Sequence, residues 1–214
     1  MKSLYIIAAL AAFNFAEAQT TMSLKEFKGI TVGENMKVKL VKSTDDKLVT
    51  TNESDEAKIS YENGLLILKG YDSEATLYYK GNLETIIVGE DAILSGDDEI
   101  TTKELKLIVG DDTVVQLYVN VQKLSTVAKD DAVLTLSGKA TDHDAVFKDD
   151  AVFKGTNLLT ATTTIKLFAD AAASITAKDA VTAAVGNDGS LKIHGNPKNV
   201  VQSKGDDASI VVVK

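Results

Sequence analysis

"DAVFKDDAVFKG", residues 144–155, writes Ala-Val-Phe-Lys twice around an Asp149-Asp150 pair. Such a pair between two apolar runs is either a site or a turn, and the rest of the chain bears on which. The phrase returns from residue 88 onward: "VGEDAIL" (88–94), "VGDDTVVQL" (109–117), "AKDDAVLTL" (128–136), "FKDDAVF" (147–153), "ADAAASI" (169–175), "VGNDGSLKI" (185–193) and "KGDDASIVV" (204–212). Anchored on the residue that ends each turn, at 91, 112, 131, 150, 172, 188 and 207, the steps are 21, 19, 19, 22, 16 and 19. A period near 20 in a strand-rich chain specifies a solenoid in which each coil is one rung.

Parity agrees. Counting back seven, five and three from the anchors gives Leu105, Leu107, Val109; Leu124, Thr126, Ala128; His143, Ala145, Phe147; Ile165, Leu167, Ala169; and Val181, Ala183, Val185. Counting forward one, three and five gives Thr113, Val115, Leu117; Ala132, Leu134, Leu136; Ala173, Ile175, Ala177; Gly189, Leu191, Ile193; and Ala208, Ile210, Val212. Alternation of this kind puts one face of each strand inward. Two strands then meet at an acidic corner, and Phe147 and Phe153, three residues either side of Asp150, both point into the core.

The earlier part of the chain alternates too, in "FKGITV", "MKVKLV", "AKIS", "LLILKG" and "ATLYYK", with turns at 33–35 and 62–64, but lacks the Asp-Asp phrase. Terminal repeats of a solenoid are usually atypical because the open end of the core must be covered. The expected architecture is all-β: a parallel β-helix or β-solenoid of about 19–20 residues per coil. Residues 19–214 form a single domain, with an N-terminal capping strand layer over 19–80 and repeat coils over 81–214.

Residues 1–18, "MKSLYIIAALAAFNFAEA", carry Lys2, an apolar run from Leu4 to Phe15 and the small-x-small sequence Ala16-Glu17-Ala18. This pattern predicts a removed export signal; the run is too short for a membrane span, and no transmembrane segment is expected. Removal takes one lysine and one acid, so the net charge stays at −8. Arginine and cysteine are both absent. An acidic chain without a guanidinium is poorly equipped for nucleic acid, and an exported chain without cysteine must be held by core packing and sheet hydrogen bonds.

The export signal, "FKGITV", "MKVKLV", "NGLLIL", the short acidic repeats and the closing "LKIHGNPKNVVQSKGDDASIVVV" together resemble the head GIN domain family of auto-transporter adhesins over nearly all of the mature chain. The resemblance implies a β-solenoid exported to the Gram-negative envelope: periplasm, outer cell surface or secreted. Members of that family typically turn on Gly-Ser-Gly, where this chain writes Gly-Asp-Asp or Lys-Asp-Asp.

Stacked in register, Asp112, Asp131, Asp150, Asp188 and Asp207 would form a column at roughly 4.8 Å spacing. Lys129, Lys148 and Lys204 stand one or two residues before acidic pairs and could neutralise them. Aspartate also suits a tight turn because its side chain caps its own backbone. The turn reading is preferred; the alternative is a Ca²⁺ ladder with Asp112, Asp131, Asp150 and Asp207 as candidate ligands. No other cofactor is expected. His143 falls inward and His194 outward, too far apart in sequence for a recognisable metal pattern. The outward threonines and lysines, including Thr135, Thr176, Lys106, Lys166, Lys192, the cluster "TATTTIK" (160–166), Gln116 and Tyr118, form a regular polar surface that could read a repeating polymer.

Acids in near-identical repeats give no carboxylate a distinctive environment, which argues against general acid–base chemistry and for no catalytic residue at all. The expected function is a non-enzymatic binding or adhesion protein of the envelope, with a glycan or an envelope protein as partner. The alternatives are a carbohydrate-active enzyme on a β-helix scaffold, recognisable by a groove with two unlike carboxylates, and a structural or regulatory envelope component.

Overall fold

The structure is a computed structural model and describes residues 20–50 and 57–213; the export signal over 1–18 lies outside the described residues. The described residues are all-β, with 70% strand and no helix among them, wound into a parallel solenoid of about 7 turns and about 19 residues per turn. Among the described residues no helix is long and apolar enough to cross a membrane.

The regular coils are β9 (Ile93–Val109), β10 (Val114–Ala128), β11 (Val133–Phe147), β12 (Val152–Leu167) and β13 (Ala172–Val185). Each runs from one acidic corner to the next and pairs in parallel with the coils on either side, so Val114 sits beside Val133 and Val133 beside Val152. The last coil is made of β14 (Ser190–His194), β15 (Asn199–Lys204) and β16 (Ser209–Val212), with β15 on β13 and β16 on β14.

Stacking turns the inward positions into columns. One runs Leu94, Val115, Leu134, Phe153, Ala173, Leu191 and Ile210; another runs Val109, Ala128, Phe147, Leu167 and Val185. Large side chains stand beside small ones: Phe147 next to Ala128, Phe153 next to Ala173. The two phenylalanine rings stack at 4.9 Å and 14° across the corner, and both are buried. Filling a narrow core in this way matters, since each buried Leu or Phe contributes roughly 1.5–3 kcal/mol.

The inward set expected from parity is buried through the middle coils and departs at two places. Ala169 is exposed and has φ 53°, because the corner of that coil is Ala169-Asp170 rather than a turn ending at residue 172. The parity survives because the error was two residues. At the C-terminal end Ile210 is only half-buried and Val212 exposed, since no described coil stacks beyond β16.

The N-terminal strands are more than a cover. β2 (Gly29–Val32) lies between β6 (Leu65–Lys69) and β8 (Thr85–Val88), all parallel. β3 (Met36–Lys42) lies likewise between β7 (Ser73–Tyr79) and β9. The segment 29–42 is therefore a genuine coil, stacked under a coil that comes later in the chain. Antiparallel strands complete this end: β4 (Lys47–Thr50) on β7, β1 (Thr20–Ser23) on β4, and β5 (Lys58–Glu62) on β6. The β5–β6 hairpin turns on Asn63 (φ 50°) and Gly64 (φ 80°), the two positive φ values that a tight hairpin requires.

Candidate functional site

The acidic corners take two forms. Where the corner begins with glycine, at Gly33, Gly70, Gly89, Gly110, Gly186 and Gly205, the left-handed residue is the second after it: Asn35, Asp72, Asp91, Asp112, Asp188 and Asp207. Where it begins with Lys129, Lys148 or Phe168, the left-handed residue is the first after it: Asp130, Asp149 and Ala169. The glycine corners sit tightly on one another. A Cβ on Gly110 would lie 3.1 Å from Val88 O and 3.2 Å from the carbonyl carbon of Gly89, and one on Gly89 would lie 3.2 Å from Gly33 and Glu34 backbone atoms. A side chain at that position needs another path, and the inverted turn supplies it. Asp and Asn are the non-glycine residues that tolerate φ > 0 most readily.

The two forms come in blocks: glycine corners at Gly89 and Gly110, the other form at Lys129, Lys148 and Phe168, and glycine corners again at Gly186 and Gly205. The described residues bring Asp111, Asp112 and Asp131 together, with one oxygen of each within 4.8 Å of the others. They meet at the junction between a glycine corner and a lysine corner. Of the candidate ligands, Asp112 and Asp131 belong to this group, while Asp150 and Asp207 lie outside it; Asp111, the first residue of its pair, joins them although a ladder counted on the second residue of each pair does not contain it. The Asp112 carboxyl is pushed above its ordinary range by the negative charge of Asp111, then by partial desolvation and by Asp131, Asp91 and Asp130.

The lysines neutralise less than expected. Lys129 Nζ lies 2.9 Å from Asp130 Oδ2. Lys148 instead stands over the Phe168 ring at 5.9 Å, and Lys204 Nζ donates to Ala208 O at 3.4 Å. Three exposed or half-exposed carboxylates would fit a hard cation only loosely, since Ca²⁺ takes six to eight oxygens.

His143 is fully buried, with Nε2 2.9 Å from Thr126 Oγ1 and the ring edge-on to Phe153 at 5.4 Å. Its Nδ1 has no described partner. Desolvation lowers its pKa from 6.5 to about 4, so the imidazole is neutral at physiological pH: a structural histidine in the core. His194 is half-buried. The threonine cluster over 160–166 is not wholly outward; Thr160 and Thr163 are buried and share a 2.7 Å hydrogen bond, with Thr160 also donating to Thr176 O at 3.1 Å.

On the outer face, a shallow groove of about 630 Å³ is lined by Glu84, Glu104, Asp144, Lys103, Lys106 and Lys123. Acid and base alternate across the coils here: Glu104 beside Lys123 beside Asp142, and Lys106 beside Ser125 beside Asp144. The neighbouring wall is different. It carries register shifts at Leu117/Tyr118, Thr135/Gly138 and Gly155/Leu159, and beside the first of them Tyr118 and Asn120 stand next to Glu99 and Thr101.

Stacked coils with a largely apolar interior and polar side chains on their outward ladders define a parallel β-solenoid. The chain belongs to the family described as "Putative auto-transporter adhesin, head GIN domain", whose model matches residues 26–197. Solved structures share the fold: a "putative adhesin" of Bacteroides fragilis (TM-score 0.81, 18% identity, covering 92% of this chain and 96% of that one) and another of Parabacteroides merdae (0.73, 15%, with the same coverage). A "putative lipid binding protein" of Parabacteroides distasonis superposes with a TM-score of 0.70 at 12% identity, again covering 92% and 96%. No curated protein sequence matches.

Proposed function

We propose that this protein is an exported, non-enzymatic adhesion module of the cell envelope that binds an extended polar partner, a glycan or an envelope protein, along its outer walls. The observation that carries the reading is the interleaving of acids and lysines on stacked coils around the 630 Å³ groove. Rigid parallel strands hold donors and acceptors at fixed coil spacing, which suits repeated contacts with a polymer. Carboxylates and lysines share the groove, with Glu104 directly beside Lys123, an arrangement suited to polar recognition; a glycosidase needs two carboxyl groups held in unlike environments.

The export pattern of residues 1–18 and the family's adhesin name support placement outside the cytoplasm. The acidic corners act as turns, with any cation at Asp111, Asp112 and Asp131 weakly held. The test is binding of the mature chain to a glycan array, with a pull-down from solubilised envelopes, each with and without Ca²⁺. Saturable capture of a glycan or of one envelope protein is expected; turnover of a polysaccharide would overturn the non-enzymatic reading.

A further inference from the structure

We propose that Tyr118 is the stacking platform of a saccharide subsite, with Glu99, Gln116, Asn120 and Lys139 supplying the polar contacts. This rests on the adhesion reading above and gives it a ligand class and a place.

The platform is built in several ways. The register shift between Leu117 and Tyr118 pairs Leu117 with Gly96 but Tyr118 with Glu99, so Asp97 and Asp98 are extra residues in the neighbouring coil. Bulges of this kind re-aim the side chains beside them. On the other side lies Gly138, at φ 107°, where a Cβ would fall 2.9 Å and 3.0 Å from two carbons of the Tyr118 ring and onto Val119 O. Only a bare Cα lets the ring settle against that backbone. Tyr118 nevertheless keeps 38% of its surface in solvent.

The polar groups around the ring are held as well. Glu99 Oε1 accepts from Asn120 Nδ2 at 3.1 Å and from Thr101 Oγ1 at 3.1 Å. The same carboxylate, close to the Tyr118 hydroxyl, raises the phenol's pKa. Asn120, Thr101 and Tyr118, with the charge of Lys139, hold Glu99 below the usual carboxylate range, the Asn120 hydrogen bond most of all. Along its own strand Tyr118 lies between Gln116 and Asn120, all three on the outward row, so an amide flanks the ring on either side at about 7 Å.

An aromatic ring between amides, with a carboxylate and an ammonium beside it, matches a pyranose. The sugar's apolar C–H face meets the electron-rich ring face, while its hydroxyls, each donor and acceptor, meet groups of both kinds. Glu99 and the net charge of −8 disfavour phosphate and nucleic acid. Because Tyr118 is packed against the Gly138 backbone before any ligand arrives, little side-chain freedom is lost on binding.

The test uses the mature chain with 3-fluorotyrosine at its tyrosines and fluorine NMR, titrated with cellobiose, maltose and N,N′-diacetylchitobiose, alongside the glycan array. The Tyr118 resonance, assigned from Tyr118→Phe, should shift saturably with at least one disaccharide, while that of Tyr71, 72% exposed, stays still. Tyr118→Ala should weaken array binding at least tenfold, Glu99→Gln and Asn120→Ala a few-fold, and Tyr71→Ala should leave it unchanged. All are exposed or half-exposed positions, and circular dichroism would confirm the fold. Array binding that survives Tyr118→Ala would overturn the subsite and leave the adhesion reading standing. No glycan binding together with specific capture of an envelope protein would do the same. Failure of both array and pull-down would refute the two together.

Discussion

His143 makes the stability of this fold depend on pH in a way that can be worked out from its surroundings. In the unfolded chain its imidazole titrates at about 6.5; in the core, desolvation holds it at about 4. Between those values the unfolded chain takes up a proton that the folded one refuses. Stability from this group is therefore complete above pH 6.5, falls as the pH drops toward 4, and changes no further below. A difference of about 2.5 in pKa corresponds to about 3 kcal/mol. For a domain of this size that is a melting temperature lower by about 6–12 °C. The groups packed on the ring, Thr126 through its hydroxyl and Phe153 through its edge, carry no charge that could hold an imidazolium.

Carboxylates also titrate toward pH 4, so the measurement is a comparison. His143→Leu places in this column the residue found in the two preceding coils, Leu105 and Leu124, at the cost of leaving the Thr126 hydroxyl without its partner. Thermal melts of both proteins at half-unit steps from pH 7.5 to 4 should show the wild type losing ground to the variant steadily below 6.5. A constant gap between the two curves would mean that the ring is hydrated or protonated in place, and the burial argument would fail.

Other substitutions probe the corners and the core. Asp131→Asn with Asp150→Asn should leave the melting temperature unchanged or raise it, because carboxylate repulsion is relieved and asparagine tolerates the same turn; a large drop reversed by millimolar Ca²⁺ would establish a cation ladder instead. Leu134→Asp puts a charge among fully buried neighbours and should cost more than about 4 kcal/mol, so that no soluble cooperative fold is recovered; a native-like melt would contradict the inward assignment. Gly138→Ala forces a Cβ at φ 107° against Val119 O and should destabilise by about 2 kcal/mol or more in denaturant titration.

Repetition made most of the solenoid legible. Inward parity survives along the strands even where an anchor is wrong by two residues, as at Ala172, because side chains in a strand repeat every two. Stacking order was beyond reach: alternation in 29–42 and 65–79 says that both are strands, while their interleaving depends on which edges meet in space. The two corner forms follow from whether glycine precedes the acidic pair, a distinction visible in the sequence but hidden when all seven corners are treated as one motif. Tyr118 was recognisable as outward, and a step of 19 residues back lands on Glu99. What the sequence could not convey was the bulge at Asp97-Asp98 and the bare Cα of Gly138, which turn an exposed tyrosine into a held one.

The interleaved coil at the N-terminal end also bears on how the molecule winds. In the regular region each rung docks on one made 19 residues earlier, as Val133 does on Val114, and growth can proceed one coil at a time from any nucleus. β3 has no such partner when it leaves the ribosome or a translocation channel. Lys37 must wait for Glu74 on one side and Ile93 on the other. Closing the longer loop costs only about 1 kcal/mol more than closing a regular coil, so the difference is one of order rather than stability. The first rung synthesised docks only on rungs made after it, and the middle coils, each with a partner already made, are the natural place for folding to begin.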